Sequence, residues 1–159
     1  MARGADGNIT PIVFVEFSVA GSSIDIIREL SAVLTPEQVA VDPASLETYG
    51  QDWTRFTPPA PTAIVFPRDT ADVVAVVECA RRCQFALVPS GGRTGLSGGA
   101  CAANGEVVVS MDKMNAISPV NLTDRTVTVG AGAITQNVQQ AARDADLFYP
   151  VDFASSGSS

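Results

Sequence analysis

The chain contains no histidine among its 159 residues. Histidine is the usual general base of Ser-His-Asp and Cys-His catalytic triads and a frequent ligand of zinc. Hydrolysis by such a triad and zinc binding through histidine are therefore excluded for these residues.

Basic residues are in the minority, since ten lysines and arginines stand against 17 aspartates and glutamates and give a formal charge of -7. Such a chain gains no net drive from counterion release toward a phosphate backbone, so we expect no nucleic-acid partner. The acidic residues are unevenly placed. None lies between Glu78 and Glu106, whereas Arg81, Arg82 and Arg93 fall within that window. This cationic stretch favours a small anionic ligand.

Long apolar runs are absent, because none approaches the ~20 residues that span a bilayer. We therefore predict no transmembrane segment. The stretch from Ile9 to Gly21 has the apolar content of a secretion signal, but Glu16 interrupts it and Arg3 alone precedes it, offset by Asp6. We reject a signal peptide. An additional strand, or an extension foreign to the native protein, is expected within an N-terminal segment 1–22 of uncertain origin.

Cysteine is scarce as well: Cys79, Cys83 and Cys101 are three in number, so they cannot all pair within one chain. Without a secretory signal we expect a reducing compartment and a cytoplasmic protein. Cys79 and Cys83 share a helix face by spacing, as two metal ligands would. Two thiolates without a histidine or a nearby third ligand make a poor site, so we interpret both as core thiols and predict no metal site.

The chain has the length of one ordinary domain, and its 46% apolar content is sufficient for a core. Caps and prolines predict helices that begin at Ser22 or Ser23, at Pro36, at Pro43, at Asp69 or Thr70, and at Thr135. Strands are predicted at 62–66, 85–88, 107–110 and 126–129. The unit 62–88 is strand-helix-strand, so its two strands should be parallel with a right-handed crossover. The helix of this unit should bury Val73, Val74, Val76, Val77 and Ala80.

A glycine-rich loop follows the second strand of this unit. Residues 90–99 read Ser-Gly-Gly-Arg-Thr-Gly-Leu-Ser-Gly-Gly and hold five of the 13 glycines. Without Cβ atoms, backbone N–H groups can converge on an anion unobstructed. Ser90, Thr94 and Ser97 add hydroxyl donors, and Arg93 adds a positive charge. These are the parts of a diphosphate cradle.

Two other glycine motifs do not fit this loop. A Walker loop ends in Gly-Lys-Ser or Gly-Lys-Thr, and no lysine precedes Lys113. The Rossmann fingerprint requires a helix after its glycines, whereas 100–105 is a small-residue turn before a strand. A flexible surface loop is the simpler alternative. The preceding strand and the local positive charge favour the cradle.

The run from Pro89 to Ala100 resembles the signature of FAD-linked oxidases of the vanillyl-alcohol oxidase and p-cresol methylhydroxylase type. The resemblance is strongest to the branch with glycolate oxidase, D-lactate dehydrogenase and D-2-hydroxyglutarate dehydrogenase, and it covers roughly 24–159. Further matching segments are Tyr49 to Asp52, Ala63 to Pro67, Met111 to Asn115, Val129 to Gly132, and Phe148 to Asp152. The chain departs from the family at Ser90, where arginine or lysine is usual and Arg93 is the candidate replacement. It departs again at Ala131, where proline is usual.

The resemblance implies an α+β fold, the first half of a p-cresol methylhydroxylase-type FAD-binding domain. Such a domain has a small parallel βαβ sheet packed with helices, plus a mixed or antiparallel sheet. Residues 23–159 would be its N-terminal part, truncated before the second glycine segment and the cap domain. In this family the cap domain holds the catalytic histidines and any metal, so we assign no catalytic residue here and expect the fragment alone to be inactive.

The implied cofactor is FAD, held without a covalent bond, because relatives with covalent flavin often carry a histidine where Thr94-Gly95-Leu96 stands here. By resemblance, the residues that bind FAD are Ser90, Gly91, Gly92, Arg93, Thr94, Gly95, Leu96 and Ser97 at the pyrophosphate, with Gly132, Asp152, Ser155 and Ser158 in addition.

The implied activity is the oxidation of a 2-hydroxy acid of the D-lactate, glycolate or 2-hydroxyglutarate class. A hydride passes to FAD, and the electrons then pass to a separate acceptor, which allows a location peripheral to a membrane as well as a cytoplasmic one. The alternative is a truncated nucleotide-binding module without catalytic activity. The particular 2-hydroxy acid and the oligomeric state stay open.

Overall fold

A computed structural model of the chain describes residues 22–155, 157 and 158. The additional strand or extension expected within 9–21 lies outside these residues. Within the described ranges, four α-helices accompany one four-stranded sheet. None of these helices has both the length and the apolar character needed to cross a bilayer.

The first helices follow the predicted caps. Helix α1, Ser23–Val33, begins at Ser22, whose hydroxyl accepts a hydrogen bond from the Asp25 amide, and it buries Ile26 and Leu30. The Thr35-Pro36 pair opens only a short 3-10 turn, which leads into strand β1, Val39–Ala40. Helix α2, Pro43–Tyr49, is capped by the Asp42 carboxylate and ends at Gly50.

The predicted strand-helix-strand unit is present as β2, Ala63–Val65, helix α3, Thr70–Cys83, and β3, Leu87–Ser90. Strand β4, Val107–Ser110, lies between β2 and β3 and is parallel to both, while β1 is antiparallel to β2. The parallel arrangement is therefore confirmed, with a third strand inserted. Strand β3 begins two residues later than predicted because Phe85 still belongs to the turn after α3. The Phe85 amide donates a hydrogen bond to the Ala80 carbonyl of that helix.

Both faces of the sheet are covered, because side chains alternate along each strand. On one face Val65 and Val107 pack with Ile26 and Leu30 of α1 and with Val76 of α3. On the other face Ile64 and Val108 pack near Leu46 and Tyr49 of α2. The sheet is thereby held between α1 and α3 on one side and α2 on the other.

The stripe predicted for α3 is partly wrong. Val76 and Ala80 are buried as predicted, and Cys79 is buried with them. Val74 and Val77, however, are each 49% exposed. Successive residues of an α-helix are rotated by about 100° around its axis. Val74 and Val77 therefore lie to one side of the helix face that Val76 and Ala80 turn toward the sheet.

The chain after β4 contains less regular structure than predicted. The strand expected at 126–129 is reduced to two isolated antiparallel bridges, Ile117 to Val129 and Asn121 to Thr126. Helix α4, Thr135–Asp144, agrees with its prediction and buries Val138 and Ala142. The α+β class is confirmed by the helices and the mixed sheet.

Candidate functional site

A cleft of about 320 Å³ opens beside the glycine-rich loop. Strands β3 and β4 are parallel, so their carboxyl ends meet at one edge of the sheet, and the glycine loop and the turn after β4 continue from that edge into the cleft. The lining residues come from the loop, from the turn after β4, from the segment before α4 and from the C-terminal tail. They are Gly91, Gly92, Arg93, Asp112, Asn115, Ala131, Gly132, Ala133, Ile134, Gly157 and Ser158.

The glycine loop leaves open space at Gly91, which is one of the residues that line the cleft. A Cβ atom added at Gly91 would meet no atom within 4 Å. The segment 100–105 after the loop contains no helix, as predicted, and the loop itself has left-handed backbone at Arg93, with φ 58°, and at Gly98, with φ 75°. Backbone groups at Gly91 and Gly92 are thus accessible to a ligand that needs close approach, which fits a diphosphate.

The opposite wall depends on two glycines for a different reason. A Cβ atom at Gly130 would overlap the carbonyl oxygen of Met114, and one at Gly132 would overlap that of Met111. The Gly132 amide donates to the Met114 carbonyl at 3.0 Å, and the Gly130 amide donates to the Ala116 carbonyl at 2.8 Å. The absence of side chains therefore lets this segment lie directly on the backbone that follows β4.

The N-terminal end of α4 borders the same cleft. Ile134 is its N-cap residue, and within the described residues no side chain caps this helix. Uncapped N–H groups give a helix N-terminus partial positive charge, which favours an anion nearby. The cleft is therefore bounded by a glycine loop on one side and by a helix N-terminus on the other, an arrangement suited to phosphate groups.

Arg93 lies between the loop and the turn after β4. Its Nη1 donates to the Gly91 carbonyl at 3.1 Å and to Oδ1 of Asp112 at 3.3 Å. Its guanidinium carbon lies 4.4 Å from the ring centroid of Tyr49. Burial raises the pKa of Tyr49, and the negative charge of Asp112 raises it further. The expected cation of the loop is thus present, but an acidic residue of the same cleft offsets its charge.

Asp52 supports the loop from the other side. Its Oδ1 accepts hydrogen bonds from the Thr54 hydroxyl at 2.6 Å, the Thr54 amide at 2.9 Å and the Cys101 thiol at 3.3 Å. These bonds, led by the Thr54 hydroxyl, lower the pKa of Asp52 and keep it ionised. Next to it, the Trp53 amide donates to the Gly95 carbonyl at 3.1 Å. The segment after α2 therefore anchors the middle and the end of the loop.

A second cleft of about 370 Å³ lies on this side of the loop. It shares Gly92, Arg93 and Ser158 with the first cleft, so the loop separates two adjoining spaces. Its other lining residues are Thr48, Gln51, Asp52, Trp53, Arg55 and Thr94. Among the described residues, Oδ2 of Asp52 has no hydrogen-bond partner although it is buried.

The structure places the predicted site residues at different depths. Gly91, Gly92, Arg93, Gly132 and Ser158 line the first cleft, and Thr94 lines the second. Ser90 lies beneath the loop, where its hydroxyl is buried and has no hydrogen-bond partner in the described part of the chain. The remaining predicted residues lie outside the linings of both clefts: Gly95, Leu96, Ser97, Asp152 and Ser155.

Sequence reasoning missed several residues of the first cleft, among them Asp112, Asn115 and Ile134. Asp112 and Asn115 belong to the segment from Met111 to Asn115, which is one of those that carry the family resemblance. Their position directly after a predicted parallel strand was the available signal, because the carboxyl ends of parallel strands converge.

The described residues contain no group of three or more histidine, cysteine, aspartate or glutamate side chains that could hold a metal ion. Cys79 is buried in the core. Burial and the neighbouring Cys83 thiol raise the pKa of Cys79 to about 11, so it stays protonated. A protonated thiol packed among apolar side chains agrees with the interpretation as a core residue.

The mixed sheet, the glycine loop at its edge and the adjoining cleft define a domain of the nucleotide-cofactor-binding class. Residues 61–159 match the family described as FAD binding domain. The chain therefore belongs to the FAD-binding domain family.

Curated relatives extend the match to most of the chain. D-2-hydroxyglutarate dehydrogenase of Stutzerimonas stutzeri (strain A1501) is 54% identical over 134 residues, which are 84% of this chain and 29% of that protein. The enzyme of the same name from Xanthomonas citri pv. viticola is 49% identical over 83% of this chain and 28% of that protein. The glycolate oxidase protein GlcD of Bacillus subtilis (strain 168) is 30% identical over 80% of this chain and 27% of that protein. The chain thus spans less than a third of the length of these relatives.

Solved structures show the same fold. An alkyldihydroxyacetonephosphate synthase superposes with a TM-score of 0.70 at 21% identity, over 86% of this chain and 30% of that chain. A p-cresol methylhydroxylase with bound substrate superposes with a TM-score of 0.67 at 19% identity, over 78% of this chain and 25% of that chain. The predicted resemblance to p-cresol methylhydroxylase-type domains is confirmed at the level of the fold.

Proposed function

We propose that residues 23–159 form the N-terminal part of the FAD-binding domain of a flavin-dependent oxidoreductase, with the FAD diphosphate in the cleft of about 320 Å³. The observation that carries this proposal is the open space at Gly91, opposite the uncapped N-terminus of α4. A diphosphate needs both the close approach and the partial positive charge that these two features offer.

The residues of the chain have distinct parts in this proposal. Backbone N–H groups at Gly91 and Gly92 bind phosphate oxygens, and Gly132 keeps the opposite wall close. Thr94 of the loop and Ser158 of the C-terminal tail contribute hydroxyl groups. The other residues that the resemblance assigns to FAD line neither cleft, and they stay predictions: Ser90, Gly95, Leu96 and Ser97 at the pyrophosphate, with Asp152 and Ser155 in addition.

The substrate class follows from the relatives. Two D-2-hydroxyglutarate dehydrogenases share 54% and 49% identity with the chain, so we propose a 2-hydroxy acid of the 2-hydroxyglutarate, D-lactate or glycolate class. Bound FAD supplies the hydride acceptor, and a separate acceptor then takes the electrons. The chain spans less than a third of the length of these relatives, so we assign no catalytic group to it and expect no turnover of a 2-hydroxy acid by the chain alone.

The test is FAD affinity, measured by quenching of flavin fluorescence, in two matched variants. Gly91→Val places a side chain in the open space of the cleft and is expected to weaken FAD binding by about tenfold or more, as loss of close contact at a charged group would. Gly99→Val is the control, because its Cβ also meets no atom within 4 Å, its φ is not left-handed, and it lies outside the cleft lining.

Equal FAD affinity in the wild type and Gly91→Val would show that the loop is not the cradle. A thermal shift with ATP but not with FAD would instead favour a further possibility, a nucleotide-binding module that takes no flavin.

A further inference from the structure

The side chain of Arg93 is engaged with protein groups on three sides. It donates to Gly91 within its own loop and to Asp112 after β4, and it stacks on Tyr49 at the end of α2. Tyr49 is itself held edge-on against Phe66, with ring centroids 4.9 Å apart. These contacts connect the glycine loop to two neighbouring parts of the fold.

The backbone of Arg93 also points to a fixed role. Its φ of 58° lies in the left-handed region, where a residue with a Cβ is strained and glycine fits more easily. Such strain persists where surrounding contacts determine the conformation. The contacts with Asp112 and Tyr49 are of this kind, because both partners are attached to regular elements.

The charge of Arg93 is balanced within the cleft. Asp112 lines the same space, and its carboxylate lies 3.3 Å from the guanidinium. An anionic ligand would therefore meet a neutral pair, and the attraction left for it comes from backbone N–H groups.

We propose that Arg93 is a positioning residue, which holds the glycine loop in the shape that receives the diphosphate, and that backbone N–H groups contact the phosphates instead of the guanidinium. The inference rests on the proposed FAD-binding function and specifies how the loop of that site is held.

The first test compares Arg93→Ala with Arg93→Lys. Lysine keeps the charge, but its ammonium lacks the planar group that stacks on Tyr49 while donating to Gly91 and Asp112. Both variants are expected to raise the Kd for FAD by about tenfold. In the double variant Arg93→Ala/Asp112→Asn, which removes the pair without leaving an unpaired carboxylate, the salt dependence of Kd is expected to match that of the wild type. Full affinity in Arg93→Lys, or a flatter salt dependence in the double variant, would identify a direct phosphate ligand and overturn the proposal.

The second test uses the protein without FAD. The heteronuclear NOE of the amides at 91–99, which reports fast backbone motion, is expected to fall in both Arg93 variants. Arg125→Ala is the matched control, because Arg125 is an exposed arginine with a φ of 55°. A loop as ordered in Arg93→Ala as in the wild type would refute the positioning role. This readout does not involve the cofactor, whereas a wild-type protein that fails to bind FAD would refute the proposed function itself.

Discussion

Gly91 and Gly132 border the same cleft, but the absence of a side chain matters at each for a different physical reason. At Gly91 the space that a side chain would take is empty and open to a ligand. At Gly132 that space is filled by the Met111 carbonyl, so the glycine serves the packing of two backbone segments. The family pattern points to both positions alike, and only the structure separates the two roles.

This difference predicts that substitutions at the two glycines change the free energy of unfolding by different amounts. Gly132→Ala must displace the backbone after β4, and we expect it to lower the free energy of unfolding by about 2 kcal/mol or more. Gly91→Ala and Gly99→Ala should each change it by less than about 0.5 kcal/mol, because their Cβ atoms meet open space. Urea denaturation measures all three. An unchanged urea midpoint for Gly132→Ala would mean that the segment around Gly132 can move away from the Met111 carbonyl without a loss of stability.

At the residue scale, the sequence was sufficient to locate the glycine loop but not to predict that its charged residue, Arg93, is paired. The local excess of arginine predicted a positive charge in the loop at Arg93 and gave no partner for it. In the structure this arginine is paired with Asp112, which lies 19 residues further along the chain. Such a pairing depends on β3 and β4 being neighbours, which no local pattern in the loop specifies.

At the scale of elements, strong local signals were reliable. The caps at Ser22, Asp42 and Asp69 each start a helix, because a side-chain acceptor satisfies an amide of the first turn. The strand predicted at 126–129 failed, since its residues form only isolated bridges. The β-rich composition of that segment is a weak preference, which depends on a partner strand to pair with.

The C-terminal end of α3 gives a prediction at this scale. Gln84 caps the helix with φ 56° and ψ 48°, a left-handed conformation in which a Cβ is strained. We expect Gln84→Gly to be more stable than Gln84→Ala by about 1 kcal/mol, since only glycine removes that strain. Both variants lose the exposed bond from Gln84 to the Arg81 carbonyl, so the comparison isolates the backbone. Equal urea midpoints would contradict this account.

For the molecule as a whole, the α+β class and the FAD-binding family were predictable because the loop motif is long and specific. The strand order was less accessible. A strand-helix-strand unit predicts two parallel strands, but local patterns do not say that β4 enters between them. That insertion brings Asp112 to the cleft and thereby completes the site.

The absence of histidine carries a whole-chain prediction. No imidazole is present to form a covalent link to flavin, and Cys101, which could form a thioether, donates its thiol to Asp52. We expect acid precipitation of the flavin-loaded protein to release all of its FAD into the supernatant. Colour retained in the pellet of the wild type and lost from that of Cys101→Ser would show a thioether instead.

The central position of β4 has a consequence for synthesis on the ribosome. Within the described residues β4 is the last of the four strands of the sheet, and the 16 residues between Ser90 and Val107 include Gly91 to Gly99 of the glycine loop. At ~5–20 residues per second, β3 waits on the order of one to three seconds for its partner. During that interval the nascent chain has no phosphate cradle. Because the cleft also includes Gly132 and Ile134, FAD can assist only the stages of folding that follow the synthesis of this segment.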